Sequence, residues 1–149
     1  MKPRTKARSV ALQALYELDL TEHKIGDVME SRFSQVELTP ELQDFASEIV
    51  QGVVPIRKLL DEHIAEHAPE WPVDQISIID RNLLRIALWE FAVQAKTPLK
   101  VAINEAVELA KRFGSDSTPR FVNGVLGSLA TQENELRTSL QNSIQNPPD

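Results

Sequence analysis

The chain has 149 residues, no cysteine and no apolar run near the ~20 residues of a membrane span. No apolar stretch follows the charged first residues, so we expect no signal peptide. This composition excludes disulfides, thiolate metal sites and a cysteine nucleophile, and it predicts a cytoplasmic protein with no membrane association. The net charge is −6, yet the first acidic residue, Glu17, comes after four cations: Lys2, Arg4, Lys6 and Arg8. A basic arm on an acidic body indicates an anionic partner, unless the arm is a solvated tail.

Apolar residues recur with the 3.6-residue period of α-helices along the chain, and no strand-like alternation persists. The first stripe predicts a helix over residues 5–20. Pro40, Pro98 and Pro119 stand at helix starts, where the missing N–H of proline removes no helical hydrogen bond. The later predicted helices cover residues 25–33, 40–53, a segment ending near 66, 75–95, 98–113, 118–129 and 133–140. The sequence therefore predicts an all-α fold, a compact bundle of about seven helices.

The loop around Pro69 and Pro72 divides this pattern into two halves. We expect a flexible basic arm over residues 1–8, then a helical domain over 5–132 with subdomains of about 5–68 and 73–132. A polar tail over 133–149 is expected to be partly helical and then disordered. Trp71, inside the loop, is expected to anchor on the core. Gly124 and Gly127 weaken a predicted helix, and close approach of another helix or of a ligand would explain them.

The first helix carries a candidate nucleic-acid surface. Arg8, Leu12 and Tyr16 form one i,i+4 column on the side opposite the apolar stripe. A tyrosine near a basic arm suits single-stranded nucleic acid, because cations hold the phosphates while the ring stacks on a base. The alternative, which the residues leave open, is that Leu12 and Tyr16 pack against another helix in a two-sided core.

A second candidate surface surrounds Gly114. Lys111, Arg112 and Arg120 flank the turn, and Phe121 opens the next helix, whose free N–H groups can bind a phosphate. The ordinary alternative places Phe121 in the core and leaves Lys111 and Arg112 to offset the helix dipole.

Catalytic signatures are absent from the sequence, which has neither GxxxxGK[ST] nor GxGxxG. His63 and His67 have i,i+4 spacing but lack the HExxH pattern. We therefore expect no catalytic residues, no metal and no cofactor. Asp80 lies at the edge of an apolar stripe, which indicates either a buried ion pair or an interface.

Four runs of the sequence resemble one family in order along the chain. Residues 6–8 with 11–16 resemble the opening helix of the NusB family, and residues 80–87, with Glu90 after them, resemble its central helix. The run VAINEAVELAK over residues 101–111 is the most distinctive stretch, and FVNGVL over 121–126 completes the match.

This resemblance implies two packed helical subdomains and a non-catalytic role in bacterial transcription antitermination. It implies that the protein binds boxA single-stranded RNA together with NusE, a small-subunit ribosomal protein, and modifies RNA polymerase, notably on rRNA operons. The two basic and aromatic surfaces then become the expected RNA face, and Leu20 and Asp80 become candidate NusE contacts. A purely protein-binding scaffold is the alternative, and self-association into a homodimer stays open.

Overall fold

A computed structural model describes residues 1–147, and every regular element within that range is helical, as predicted. The chain divides into two compact units, Met1–Ile56 and Arg57–Asp149. The division falls before the fourth helix, whereas the sequence placed it at the Pro69–Pro72 loop. The reason is that the fourth helix packs against the fifth and seventh helices of the second unit, and an ion pair between Asp61 and Arg85 also joins it to the fifth.

The first unit contains three helices and a terminal turn. They are α1 (Pro3–Leu20), α2 (Ile25–Gln35) and α3 (Pro40–Val53), followed by a 3₁₀ turn over Val54–Ile56. Thr39 caps α3, because its side-chain oxygen accepts a hydrogen bond from the Leu42 N–H at 3.3 Å. The α1 stripe packs against α3, and the buried apolar side chains include Val10, Ala11, Leu15, Ile49, Val50 and Val53.

The structure differs from the expected flexible arm over residues 1–8, because α1 already begins at Pro3. Proline suits the first helical turn, and Thr5, Ala7 and Arg8 are buried within the unit. Packing against α3 therefore extends the helix into the basic segment, and Arg4, Lys6 and Arg8 lie on that helix.

Polar contacts join α1 to α2. Arg32 donates hydrogen bonds to Gln13 Oε1 at 3.0 Å and to Glu17 Oε1 at 3.2 Å. The other Glu17 oxygen lies 2.8 Å from Nδ1 of His23. The hydrogen bond with His23, followed by that with Arg32, holds the pKa of Glu17 below its ordinary value.

The second unit contains five α-helices within the described residues. They are α4 (Arg57–His67), α5 (Ile78–Leu88), α6 (Leu99–Phe113), α7 (Thr118–Ala130) and α8 (Glu133–Gln145), with a 3₁₀ turn at Val73–Gln75. Ser77 caps α5 by accepting a hydrogen bond from the Asp80 N–H at 3.2 Å. The α5 helix is central, since all residues from Asn82 to Leu88 are buried. The expectation for residues 148 and 149 lies outside the described part of the chain.

The predicted helix over 75–95 is three elements in the structure. The 3₁₀ turn comes first, then α5, and then a π-helical segment over Trp89–Gln94 that ends at Ala95 in the left-handed region, at φ 58°. The last carbonyl groups of a helix have no partner within that helix. Side chains of α8 occupy two of these: Arg137 Nε donates to Phe91 O at 2.9 Å, and Gln141 Nε2 donates to Val93 O at 2.7 Å.

Candidate nucleic-acid interface

The basic surface of the first unit is built on α1 and one ring of α3. Lys2 and Arg4 are exposed and Lys6 is half-buried. The guanidinium groups of Arg4 and Arg8 lie 4.6 Å and 5.0 Å from the centroid of the Phe45 ring. Cation–π contacts of this kind restrict the long arginine side chains, so Phe45 orients Arg4 at the surface.

Arg8 differs from the expectation that it faces RNA, because only 3% of it is exposed. Leu12, in the same predicted column, is fully buried. The helix packs on two sides, against α2 and α3, so the side opposite the first stripe is also largely covered. Arg8 is therefore a buried support in the first unit, beside Phe45.

Tyr16 and Leu20 remain at the surface of α1. Tyr16 is 40% exposed and Leu20 is 53% exposed. Of the predicted column, Tyr16 alone offers an accessible face, and an exposed phenol ring is free to stack on a base.

In the second unit, Trp71, Arg120 and Phe121 line two adjoining clefts. The larger cleft has a volume of about 380 Å³ and is also lined by Gln75, Ile76, Ser77, Asp80 and Ser117. The smaller cleft has a volume of about 310 Å³ and extends along Gly124 and Val125 of α7 to His67 and the Pro69 loop. Two aromatic rings and a guanidinium group therefore border the same open space, which suits a flat aromatic ligand with a neighbouring anion.

The expectation that Trp71 anchors on the core is wrong, because Trp71 is 52% exposed. For Gly124 and Gly127, the expected close approach of another helix is wrong, since a Cβ added at either position would meet no atom within 4 Å. No close helix explains these glycines. Gly124 lines the smaller cleft, where the absence of a side chain leaves space beside Trp71.

The turn before α7 is held by Thr118. The Thr118 hydroxyl lies 2.9 Å from Asp80 Oδ1, accepts a hydrogen bond from the Ser115 N–H at 2.9 Å, and lies 3.1 Å from Ser115 Oγ. Asp80 therefore makes a hydrogen bond within the second unit, and the same residue lines the larger cleft.

Lys111 and Arg112 are exposed in the last turn of α6, just before Gly114. Lys111 lies 3.5 Å from Glu108 in an exposed i,i+3 pair, which contributes little to stability. Both cations are consequently available to an anion at this end of α6.

Within residues 1–147, no three His, Cys, Asp or Glu side chains come together as a group able to hold a metal ion. Over the same range, no helix has the length and apolar character needed to cross a membrane.

The sequence matches the NusB family model over residues 5–131. The chain belongs to the NusB family. Among similar proteins, the transcription antitermination protein NusB of Dehalococcoides mccartyi is 48% identical over 127 residues, which are 85% of this chain and 89% of that protein.

Solved NusB structures share the fold. T. maritima NusB superposes with a TM-score of 0.80 at 24% identity, covering 93% of this chain and 99% of that one. A chain from a crystal structure of antitermination factors NusB and NusE in complex with dsRNA gives a TM-score of 0.76 at 22% identity, covering 93% and 98%. These likenesses establish the NusB fold for the chain.

Arg120 and Phe121, which the sequence placed in a candidate surface of this NusB-family chain, do line the clefts, and Trp71 lines them although the sequence did not place it there. The position of Trp71 between Pro69 and Pro72 was the available signal, because loops usually run over the protein surface. The α8 helix lies beyond the residues that the NusB model matches.

Proposed function

We propose that this protein is a transcription antitermination factor, a cytoplasmic and non-catalytic adaptor. In this proposal it binds boxA-type single-stranded RNA together with the ribosomal protein NusE and so modifies RNA polymerase, notably during rRNA transcription. Membership of the NusB family and the 48% identity to a transcription antitermination protein support this role.

The observation that carries the RNA part is the cleft shared by Trp71, Arg120 and Phe121. Single-stranded RNA is recognised by stacking unpaired bases on aromatic rings or guanidinium planes, while cations hold the phosphates. Each stacked base contributes about 1–3 kcal/mol. Lys111 and Arg112 extend the cationic surface on the same unit.

The first unit supplies a second set of contacts in this proposal. Lys2, Arg4 and Lys6 bind phosphates, and the exposed ring of Tyr16 stacks on a base. Arg8, being buried, supports Arg4 and Phe45 and does not itself reach RNA.

The proposal of a protein partner rests on a different residue from the RNA contacts. Leu20 is a large exposed apolar side chain at the end of α1, a position that suits burial in an interface. The related structure that contains NusB and NusE with dsRNA supports NusE as that partner. Asp80 remains a proposed NusE contact, through the carboxylate oxygen that Thr118 does not use.

RNA binding by the full-length protein, with and without purified NusE at two salt concentrations, tests the proposal. We expect affinity to fall as salt rises, with a slope of about −0.7 per contacted phosphate. Tyr16→Ala and Trp71→Ala should each weaken binding by about tenfold, whereas Tyr16→Phe and Trp71→Phe, which keep a ring, should lose much less.

Lys100→Ala provides a charge control, since Lys100 is exposed at the opposite end of α6 from Lys111. The RNA affinity of Lys100→Ala should stay within about twofold of that of the parent, because this variant loses only one positive charge at the other end of α6. Unchanged RNA binding in both ring-deleting variants, with NusE binding intact, would instead favour the purely protein-binding scaffold.

A further inference from the structure

A chain of hydroxyl groups runs from the cleft surface to a carboxylate within the second unit. Ser117 Oγ lies 3.2 Å from Ser115 Oγ, Ser115 Oγ lies 3.1 Å from Thr118 Oγ1, and Thr118 Oγ1 lies 2.9 Å from Asp80 Oδ1. We propose that Thr118 is a positioning residue for RNA binding, which locks Arg120 and Phe121 in place by bonding to Asp80. This inference rests on the proposed RNA cleft.

The chemistry of the groups fixes the direction of the chain. An ionised carboxylate only accepts hydrogen bonds, so Thr118 donates its single hydroxyl proton to Asp80. Both Thr118 lone pairs then accept from Ser115, one from its N–H and one from its hydroxyl. Ser115 in turn accepts from Ser117. Every donor and acceptor of the Thr118 hydroxyl is used, and Thr118 is only 1% exposed.

The start of α7 depends on this arrangement because it lacks the usual cap. Ser117, at the cap position, makes no side-chain hydrogen bond to the helix. Asp80 is itself anchored in the first turn of α5, where its N–H donates to Ser77 Oγ at 3.2 Å. The Thr118–Asp80 bond therefore connects the beginning of α7 to the beginning of α5.

The connected helix ends form one wall of the larger cleft. Ser77, Asp80, Ser117, Arg120 and Phe121 all line it, and Arg120 and Phe121 follow Thr118 by two and three residues. A shift of the first α7 turn would move both side chains together. Losing the Thr118 hydroxyl should therefore weaken RNA binding even though Thr118 is buried and does not touch RNA.

Binding of fluorescein-labelled boxA RNA in the presence of NusE tests this inference with the full-length protein. Thr118→Val keeps the shape of the side chain but removes the hydroxyl, and we expect about a tenfold loss of affinity, or about 1.4 kcal/mol. Thr118→Ser keeps the hydroxyl and should bind within about twofold of the parent. Equal losses in the valine and serine variants, or no loss in either, would overturn the positioning role.

A double-mutant cycle separates positioning from general destabilisation. In a Phe121→Ala background, Thr118→Val should cost much less than in the parent, because the ring that it positions is gone. A full, additive loss would contradict the inference while leaving the RNA cleft intact. If Phe121→Ala alone binds RNA as the parent does, the proposed RNA cleft itself fails, and the inference with it.

A second variant covers the case in which Thr118→Val does not fold. Ser115→Ala removes one hydroxyl donor to Thr118 but keeps the backbone donor. We expect about a threefold loss of RNA affinity with an unchanged thermal midpoint within about 2 °C. RNA affinity equal to that of the parent would overturn the inference.

Discussion

Arg85 and Asp61 form a two-point ion pair inside the second unit. Arg85 Nε lies 2.8 Å from Asp61 Oδ1, and Nη2 lies 2.7 Å from Oδ2, which fixes α5 against α4. The Arg85 side chain is 4% exposed, so the charge has little contact with water. A pair of this geometry joins two consecutive helices across the loop between them.

Asp61→Ala should strongly destabilise the protein, because it leaves the buried Arg85 without its carboxylate. We expect the free energy of unfolding to fall by about 3 kcal/mol. Urea denaturation measures this loss, and Glu62→Ala, at an exposed neighbouring position on α4, is the matched control. Similar losses of unfolding free energy in the two variants would show that the ion pair contributes no more to stability than an exposed side chain does.

Glu17→Gln should change the pH dependence of stability. The folded pKa of Glu17 lies below its ordinary value of 4.5, so the carboxylate stabilises the folded state above about that pH. This contribution is lost as pH falls through the lower folded value. Urea titrations between pH 3 and 6 should show a shallower acid decline in Glu17→Gln than in the parent. Glu30→Gln, at an exposed position on α2, should keep the slope of the parent.

Gly114→Ala should destabilise the turn before α7. A Cβ at this position would overlap the Cβ, Cγ2 and Oγ1 atoms of Thr118, so the turn must shift. Gly124→Ala meets no atom within 4 Å and should gain up to about 1 kcal/mol from better helix propensity. Thermal denaturation should therefore move the two midpoints in opposite directions. A lower thermal midpoint for Gly124→Ala would contradict the open space that the structure shows at this position.

Arg137→Ala should loosen the π-helical segment. It removes the donor to Phe91 O and the partner of Glu133, and we expect a loss of about 1–2 kcal/mol. Thr138→Ala changes an exposed neighbour on α8 and should leave stability within about 0.5 kcal/mol of the parent. Hydrogen exchange would locate the effect, and we expect faster exchange over residues 89–95. Faster exchange only outside these residues would contradict the capping role of Arg137.

The sequence alone predicted the helices well where one apolar stripe meets clear end signals. The helix predicted over 5–20 is Pro3–Leu20, and the one predicted to start at Pro40 does so. The prediction over 75–95 missed the extended Ile76 and the cap at Ser77. It also missed the π-helical segment, because periodicity does not distinguish an α-helix from a π-helix over six residues.

By itself, the sequence determined the all-helical class, the family and the cationic character of both candidate surfaces, since these depend on residue types and on spacing along one helix. Only the tertiary structure decided which side of each helix stays open. It buried Arg8, exposed Trp71 and joined Asp80 to Thr118. The physical reason is that burial depends on neighbours far away in the chain, and local periodicity carries no information about them.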